Sequence, residues 1–543
     1  MNGFPSAFDS QFKKRVAYFS MEYAIDQSLK IYSGGLGYLS GSHIKSAYAL
    51  NQNFIAIGML WTYGYYDQLK GNDGKMMVHY SPKHYDYLTD TGIILDVKIH
   101  GHIVYVKVLK LESEIFQTAP LYLLSTDFEL NDYLSRTITH HLYDPEISTR
   151  IAQYIVLGDA GTKLVEILGG ADYYHLNEAH ALPCMFRLHK IYGGSKVWKE
   201  KVVFTTHTPE MAGNEVRDMN LLEEMNFFLD LNITEINQLK GDEYGHFNFT
   251  SFAIRNSRHT NAVSKLHSEV SHKMWNETPH GNEIIPITNA QNKNYWMDKI
   301  IEKAYIDKNL NLFSERKREL KEQLFKEVAN QTGKLFDSGV FTMVWARRFA
   351  GYKRASLLLK DTERLKRLIN NNKYPVQLIW AGKPYPKDQF GIEEFNKVLD
   401  FSKVCKGASV LFGYELNLSA QLKRGSDIWL NTPRIFREAS GTSGMTAAMN
   451  GSINVSINDG WMPEFSKDKE NCFLINTKHS DNTDEMDWND CKTLFELLEN
   501  EIIPMYYEEP EKWFKMVSNS IRDVIKDFDS NRMATDYYEK IYC

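Results

Sequence analysis

Short apolar runs alternate with helix-periodic stretches through the second half of the chain. Runs at 341–346, 376–381, 409–412, 427–430, 453–457 and 472–475 have strand length, and helical patterns separate most of them. That alternation predicts a parallel sheet with right-handed crossovers, whose ligands gather at the carboxyl ends of the strands. The first half is less regular. It predicts strands at 15–21 and 54–61, a hairpin over 94–111 about Gly101, and a strand at 120–125. An amphipathic helix follows over 147–168, stopped by Gly169 and Gly170. Strands at 173–176, 202–206 and 284–288 come next, with a helical stretch over 221–239. Little apolar patterning marks 289–296, so a domain boundary is expected there. The charged stretch 300–336 carries alternating signs and predicts a solvated helix face. The expected division is an α/β domain over 1–290, a second over 291–512, and a helical segment over 513–543 that packs back on the first.

Length and charge narrow the function. A chain of 543 residues is too long for one ordinary domain. A net charge of −6 offers a polyanion no overall attraction, so nucleic acid is not an expected partner and any phosphate must meet local cations. The five cysteines, Cys184, Cys405, Cys472, Cys491 and Cys543, are scattered and never spaced as metal pairs, which fits a reduced interior and predicts no metal site. No run has signal-peptide or membrane-span character, so a cytoplasmic protein without a membrane partner is expected.

The chemistry concentrates in a few polar clusters. Residues 437–459 read REASGTSGMTAAMNGSINVSIND: a carboxylate, Glu438, then a glycine- and hydroxyl-rich turn, then a helix and a strand. Such a turn presents backbone N–H groups to an anion, although it also serves as a plain helix start. A second glycine turn, at Gly34, Gly35 and Gly37, opens a helix without completing a dinucleotide fingerprint. Arg347, Arg348, Lys353 and Arg354 place four cations just past a strand end, where arginine forks and a lysine charge suit phosphate. Taken singly, these features also have plain readings: a solvated cationic face, a surface carboxylate, or core histidines at His180 and His207.

Seven motifs in order carry a resemblance: SGGLGYLSG (33–41), YHLNEAHALP (174–183), VVFTTHTPEMAGNE (202–215), AVSKLHSEVS (262–271), RRFAGYKR (347–354), AGKPYPKD (381–388) and EASGTSGM (438–445). Together they resemble the glycogen (α-glucan) phosphorylase family in its shorter bacterial form. The resemblance implies an α/β fold of GT-B type, with two Rossmann-like doubly wound domains facing across a cleft. It also implies roles. Gly34, Gly35 and Gly37 would form the loop over phosphate, and Arg348, Lys353 and Thr442 would bind phosphate. His180, Asn177, Glu438, Ser440 and Gly441 would hold the sugar, with Asn450 and Tyr414 lining the site. His180, Arg348 and Lys353 would act in catalysis.

One departure stands out. The family carries a lysine after the methionine of the last motif, and that lysine holds pyridoxal phosphate covalently. Here the position is Thr446, which has no amine. The expected function is therefore a retaining α-glucosyl transferase on glucan or oligosaccharide, without covalent pyridoxal phosphate and with a nucleotide-sugar donor. Two alternatives stay open. One is an α-glucan phosphorylase holding the cofactor noncovalently or through another lysine such as Lys383. The other is an inactive glucan-binding protein. The expected partners are an α-glucan and a phosphate-bearing sugar donor, with a homodimer left open.

Overall fold

The computed structural model describes residues 3–194, 196–241, 245–275, 283–477, 480 and 482–543. It divides into two compact units. Unit 1 comprises residues 1–66, 80–292 and 530–543; unit 2 comprises 67–79 and 293–529.

Unit 1 is built on a nine-stranded sheet. In spatial order the strands are Ile284–Pro286, His259–Ala262, Val202–Thr205, Tyr173–Asn177, Val16–Phe19, Phe54–Met59, Leu121–Ser125, His102–Leu111 and Thr89–Ile99. The first seven run parallel, and the last two turn back as the antiparallel hairpin expected about Gly101. Val16–Phe19 and Phe54–Met59 are buried at every position, as parallel strands covered on both faces are. The expected helix over 147–168 is observed, but a π turn at Val156–Ala160 interrupts it. It ends at Gly169 and Gly170, both at positive φ.

Unit 2 holds a six-stranded parallel sheet: Ala408–Leu411, Val376–Ala381, Phe341–Ala346, Ile428–Asn431, Ile453–Ile457 and Phe473–Ile475. Numbered along the chain this is 3-2-1-4-5-6, the dinucleotide-fold order. Its switch point lies between Phe341–Ala346 and Ile428–Asn431, and ligands of such sheets bind beyond those two carboxyl ends.

Three sequence expectations are corrected. The charged stretch 300–336 forms two helices, Lys299–Ile306 and Leu310–Thr332, and the second is not simply solvated. Lys321 is 1% exposed and pairs with Asp427 at 2.7 Å, while Lys317 donates to the Asn450 carbonyl at 3.0 Å. Second, the return to unit 1 begins at Ser530, not at 513. The helix Pro510–Asp527 stays on unit 2 because its apolar stripe packs there, with Phe514 against Phe313 and Trp513 against Phe341. Only Ser530–Lys540 returns, its Ser530 hydroxyl 2.6 Å from that of Ser46 and Tyr537 stacked on His43. Third, the short hairpin Asp67–Lys70/Met76–His79 belongs to unit 2. Gln68 anchors it by donating to the Gly382 carbonyl at 2.9 Å and accepting from the Gly413 N–H at 3.0 Å. No described helix is long and apolar enough to cross a membrane.

Candidate functional site

In unit 2 the switch point gathers the cations. Arg347 follows directly on Ala346, is 6% exposed, and donates to the Asn431 side chain at the end of the adjacent strand. Its Nη2 lies 3.4 Å from both the Leu430 carbonyl and the Ser443 hydroxyl. Among the described residues its Nε has no hydrogen-bond partner. Lys353 reaches Glu438 with Nζ 2.6 Å from Oε2, and Arg347 stands 3.9 Å from the same oxygen. Burial raises the Glu438 carboxyl, but Lys353 and Arg347, with Arg348 farther out, pull it below the ordinary carboxylate value. Glu438 is thus an ionised, nearly buried carboxylate seated on two cations. Arg348 is exposed.

The glycine-rich turn lies behind this cluster. The Asp459 carboxylate accepts the Arg437 and Glu438 N–H groups, each at 3.0 Å, and the Gly460 N–H at 2.8 Å. Burial raises Asp459 to about 6. Ser440 is buried with its carbonyl accepting the Trp461 N–H at 3.0 Å, and its hydroxyl has no partner among the described residues. Gly441 takes φ +86°, a left-handed conformation that a side chain would strain. Thr442 then caps the helix Ser443–Met449. Thr446 sits within that helix, 1% exposed, its hydroxyl donating to the Ser443 carbonyl at 3.0 Å.

Several expected residues have other work. Arg354 is 3% exposed at its side chain and fully engaged with Asp487, Asp490 and the carbonyls of Thr432 and Pro433, so it leaves the cation cluster. Asn450 is fully buried. Its amide donates to the Trp296 and Thr446 carbonyls and accepts from the Asp298 N–H, which makes it a scaffold residue instead of a sugar contact. Tyr414 is half-buried and bonds Ala346 and Ser419. Lys383 pairs with Glu415 at 3.0 Å.

In unit 1 the polar residues stand at strand ends. Asn177 closes Tyr173–Asn177; its Oδ1 accepts from His207 Nε2 at 2.7 Å, beyond the neighbouring strand, and its Nδ2 donates to the Ser20 hydroxyl. His180 follows on a single turn, with its ring centroid 5.8 Å from that of Tyr143 and 5.4 Å from that of Tyr154. Burial, helped by Arg150, lowers His180 to about 3, so the imidazole is neutral, and its Nδ1 has no partner among the described residues. Burial likewise lowers His207 to about 3.

Two residues gained no role from sequence reasoning. Glu22, 2% exposed, accepts the Ser33 N–H at 2.5 Å, the Gly34 N–H at 3.1 Å and the Tyr143 hydroxyl at 2.8 Å. It organises the glycine turn that starts helix Gly35–Ala49, and a Cβ at Gly37 would lie 2.6 Å from its Oε2. The space outside Gly34 and Gly35 is open. Glu178 takes φ +69° and accepts the His207 N–H at 2.9 Å; burial raises it to about 7. Glu178 sits inside the motif at 174–183, whereas Glu22 lies eleven residues ahead of the motif at 33–41, and the partners of both are distant in sequence.

Arg347 Nε, Ser440 Oγ and His180 Nδ1 are therefore buried polar atoms awaiting a partner, all within motifs singled out from the sequence. The chemistry available is anion binding at the switch point of unit 2, and neutral hydroxyl recognition around His180 in unit 1.

Comparison with known proteins follows the same line. No family model matches the chain. It is 46% identical over 530 residues to an uncharacterized protein of Methanocaldococcus jannaschii, covering 97% of this chain and all of that one. It is 35% identical over 592 aligned residues to the maltodextrin phosphorylase of Thermococcus litoralis, covering 98% of this chain and 71% of the other. It is 31% identical over 609 aligned residues to the glycogen phosphorylase of Aquifex aeolicus, covering 99% and 87%.

Proposed function

Because the chain belongs to the glycogen and maltodextrin phosphorylase family, with the α/β GT-B type of fold, we propose that it is a retaining glucosyltransferase that moves α-glucosyl units between a glucan and a phosphate-bearing partner. The observation that supports this reading is the buried Arg347–Glu438–Lys353 cluster at the switch point of unit 2.

In this reading Arg347, Arg348 and Lys353 receive the phosphate of the departing group. Their charges act as preorganised stabilisation of the negative charge that grows as the glycosidic bond breaks. The Thr442 N–H adds a donor in unit 2; in unit 1 the Gly35 N–H offers another, the Gly34 N–H being held by Glu22. In unit 2 Glu438 and the Ser440–Gly441 backbone take sugar hydroxyls; in unit 1 the neutral imidazoles of His180 and His207, with Asn177, offer hydroxyl contacts of their own. Displacement proceeds on the front face of the sugar, so no protein nucleophile is required and configuration is retained.

The family resemblance implies pyridoxal phosphate, which would supply a second phosphate beside the substrate's. The residues present do not fit a covalently held cofactor. Thr446 stands at the lysine position with its hydroxyl bonded to Ser443, and Lys383 is committed to Glu415. The finer proposal is that both phosphates come from one diphosphate, so the donor is a nucleotide sugar. A second reading, favoured by the names of the relatives, is phosphorolysis with the cofactor held noncovalently or through another lysine such as Lys383. Incubation with maltopentaose separates them. Chain extension from UDP- or ADP-glucose, and none from glucose 1-phosphate, is expected. Glucose 1-phosphate release dependent on added pyridoxal phosphate would overturn the nucleotide-sugar donor in favour of the second reading.

A further inference from the structure

Unit 2 contains a depression of about 700 Å³ on the far side of the turn that carries Lys353. We propose that this depression binds a neutral oligosaccharide as an effector, and that its occupancy is transmitted to the Lys353–Glu438 pair.

The backbone makes the link. The turn Gly351–Lys353 is followed by Arg354 at φ +52°, a left-handed conformation uncommon for any residue but glycine. Lys353 extends to Glu438, whereas Arg354, next in sequence, forms a wall of the depression. The opposing segment is built the same way. Arg434 lines the depression, and Glu438, four residues on, holds Lys353. The two segments are tied directly: the Arg434 N–H donates to the Tyr352 carbonyl at 2.8 Å, Arg354 donates to the Thr432 and Pro433 carbonyls, and the Thr432 hydroxyl donates to the Lys353 carbonyl at 3.2 Å. A ligand that moves Arg354 or Arg434 therefore acts on both partners of the catalytic-side ion pair.

The lining selects the ligand class. Its cations are already neutralised: Arg354 and Arg434 share Asp487, Lys397 holds Glu394 at 2.7 Å, and Lys360 holds Asp484. An anion finds no uncommitted positive centre there. Carboxylates and ammonium groups keep further acceptor and donor capacity for hydroxyl groups. Along the helix Gln389–Val404, the residues Glu394, Lys397, Phe401 and Val404 recur every three or four positions and present one mixed face to the depression. Leu357 faces it from the other side. Paired charges beside apolar surface match a molecule with hydroxyl edges and C–H faces, and the volume lies in the ordinary range for a small-molecule site. This site is distinct from the one proposed for transfer, and its test reads binding, not turnover.

The probe is maltotriose, added to the full chain, with inorganic pyrophosphate as the anionic control. Expected results are hydrogen-exchange protection in peptides covering 351–362 and 394–404, and a severalfold change in pyrophosphate affinity when maltotriose is present. By reciprocity, pyrophosphate changes maltotriose affinity by the same factor. The variant K397A/D400A alters exposed lining residues, leaves circular dichroism unchanged, weakens this maltotriose binding about tenfold and abolishes the coupling. The proposal is overturned if maltotriose protects neither peptide, if pyrophosphate instead of maltotriose protects 394–404, or if K397A/D400A retains full protection and coupling.

Discussion

The Glu438→Gln substitution tests whether the switch-point carboxylate is a charge seated on charges. The change preserves shape and removes one negative charge from beside Lys353 at 2.6 Å and Arg347 at 3.9 Å. At charge separations near 4 Å and an effective dielectric of about 20, each such attraction is worth about 4 kcal/mol before solvation. Removing the charge also relieves its own desolvation, and glutamine keeps a hydrogen bond, so the expected net loss is about 2 kcal/mol, below the ~3–5 kcal/mol for outright removal of a buried partner. The pH dependence follows from the depressed folded value. A carboxylate more acidic in the folded state stabilises fully above its unfolded pKa, about 4.3. That stabilisation is lost as pH falls through the lower, folded value. Urea unfolding of the wild type and E438Q, followed at pH 7 and in steps below pH 4.5, should show a gap at neutral pH that closes on acidification. A second arm reads the cations: with the competing carboxylate neutralised, inorganic pyrophosphate should bind about tenfold more tightly, or about 1.4 kcal/mol. An unchanged stability at pH 7, or a gap that persists undiminished at the acid end, would refute the electrostatic account of this cluster.

Arg347→Ala should abolish transfer while leaving glucan binding intact, and an unaffected rate would remove the phosphate assignment. Thr446→Lys should allow borohydride to fix pyridoxal phosphate at position 446, read by peptide mass spectrometry; the wild type should gain no label there or at Lys383, and labelling of Lys383 would favour the second reading. Glu178 has a folded pKa raised to about 7 by burial from 4.5, so it binds more protons folded than unfolded between those values. Stability should fall as pH rises from about 4.5 to 7, and Glu178→Gln should flatten that slope in urea titrations. Glu22→Ala strips several buried donors of their acceptor, at about 3 kcal/mol, and should raise hydrogen exchange at Ser33 and Gly34 first.

Much of the architecture was legible in the chain itself. The strand-length apolar runs from 341 to 475 sit within a residue or two of the observed strands, because parallel strands are buried on both faces and read as uninterrupted hydrophobic segments. The order of motifs located the polar clusters, because catalytic loops follow strand ends in such sheets. What the chain did not reveal was which charged groups meet which. Arg347, Lys353 and Arg354 look alike in sequence, yet a single left-handed residue sends Lys353 to Glu438 and Arg354 into a wall of aspartates. Asn450 belongs to a promising motif, but its amide is consumed by backbone groups over 150 residues away. Lys317 and Lys321 read as solvated and are buried instead, since Asp427 and the Asn450 carbonyl wait for them across the fold. Periodicity is local and survives in one dimension; the pairing of buried charges depends on long-range contacts, and only the folded chain supplies them.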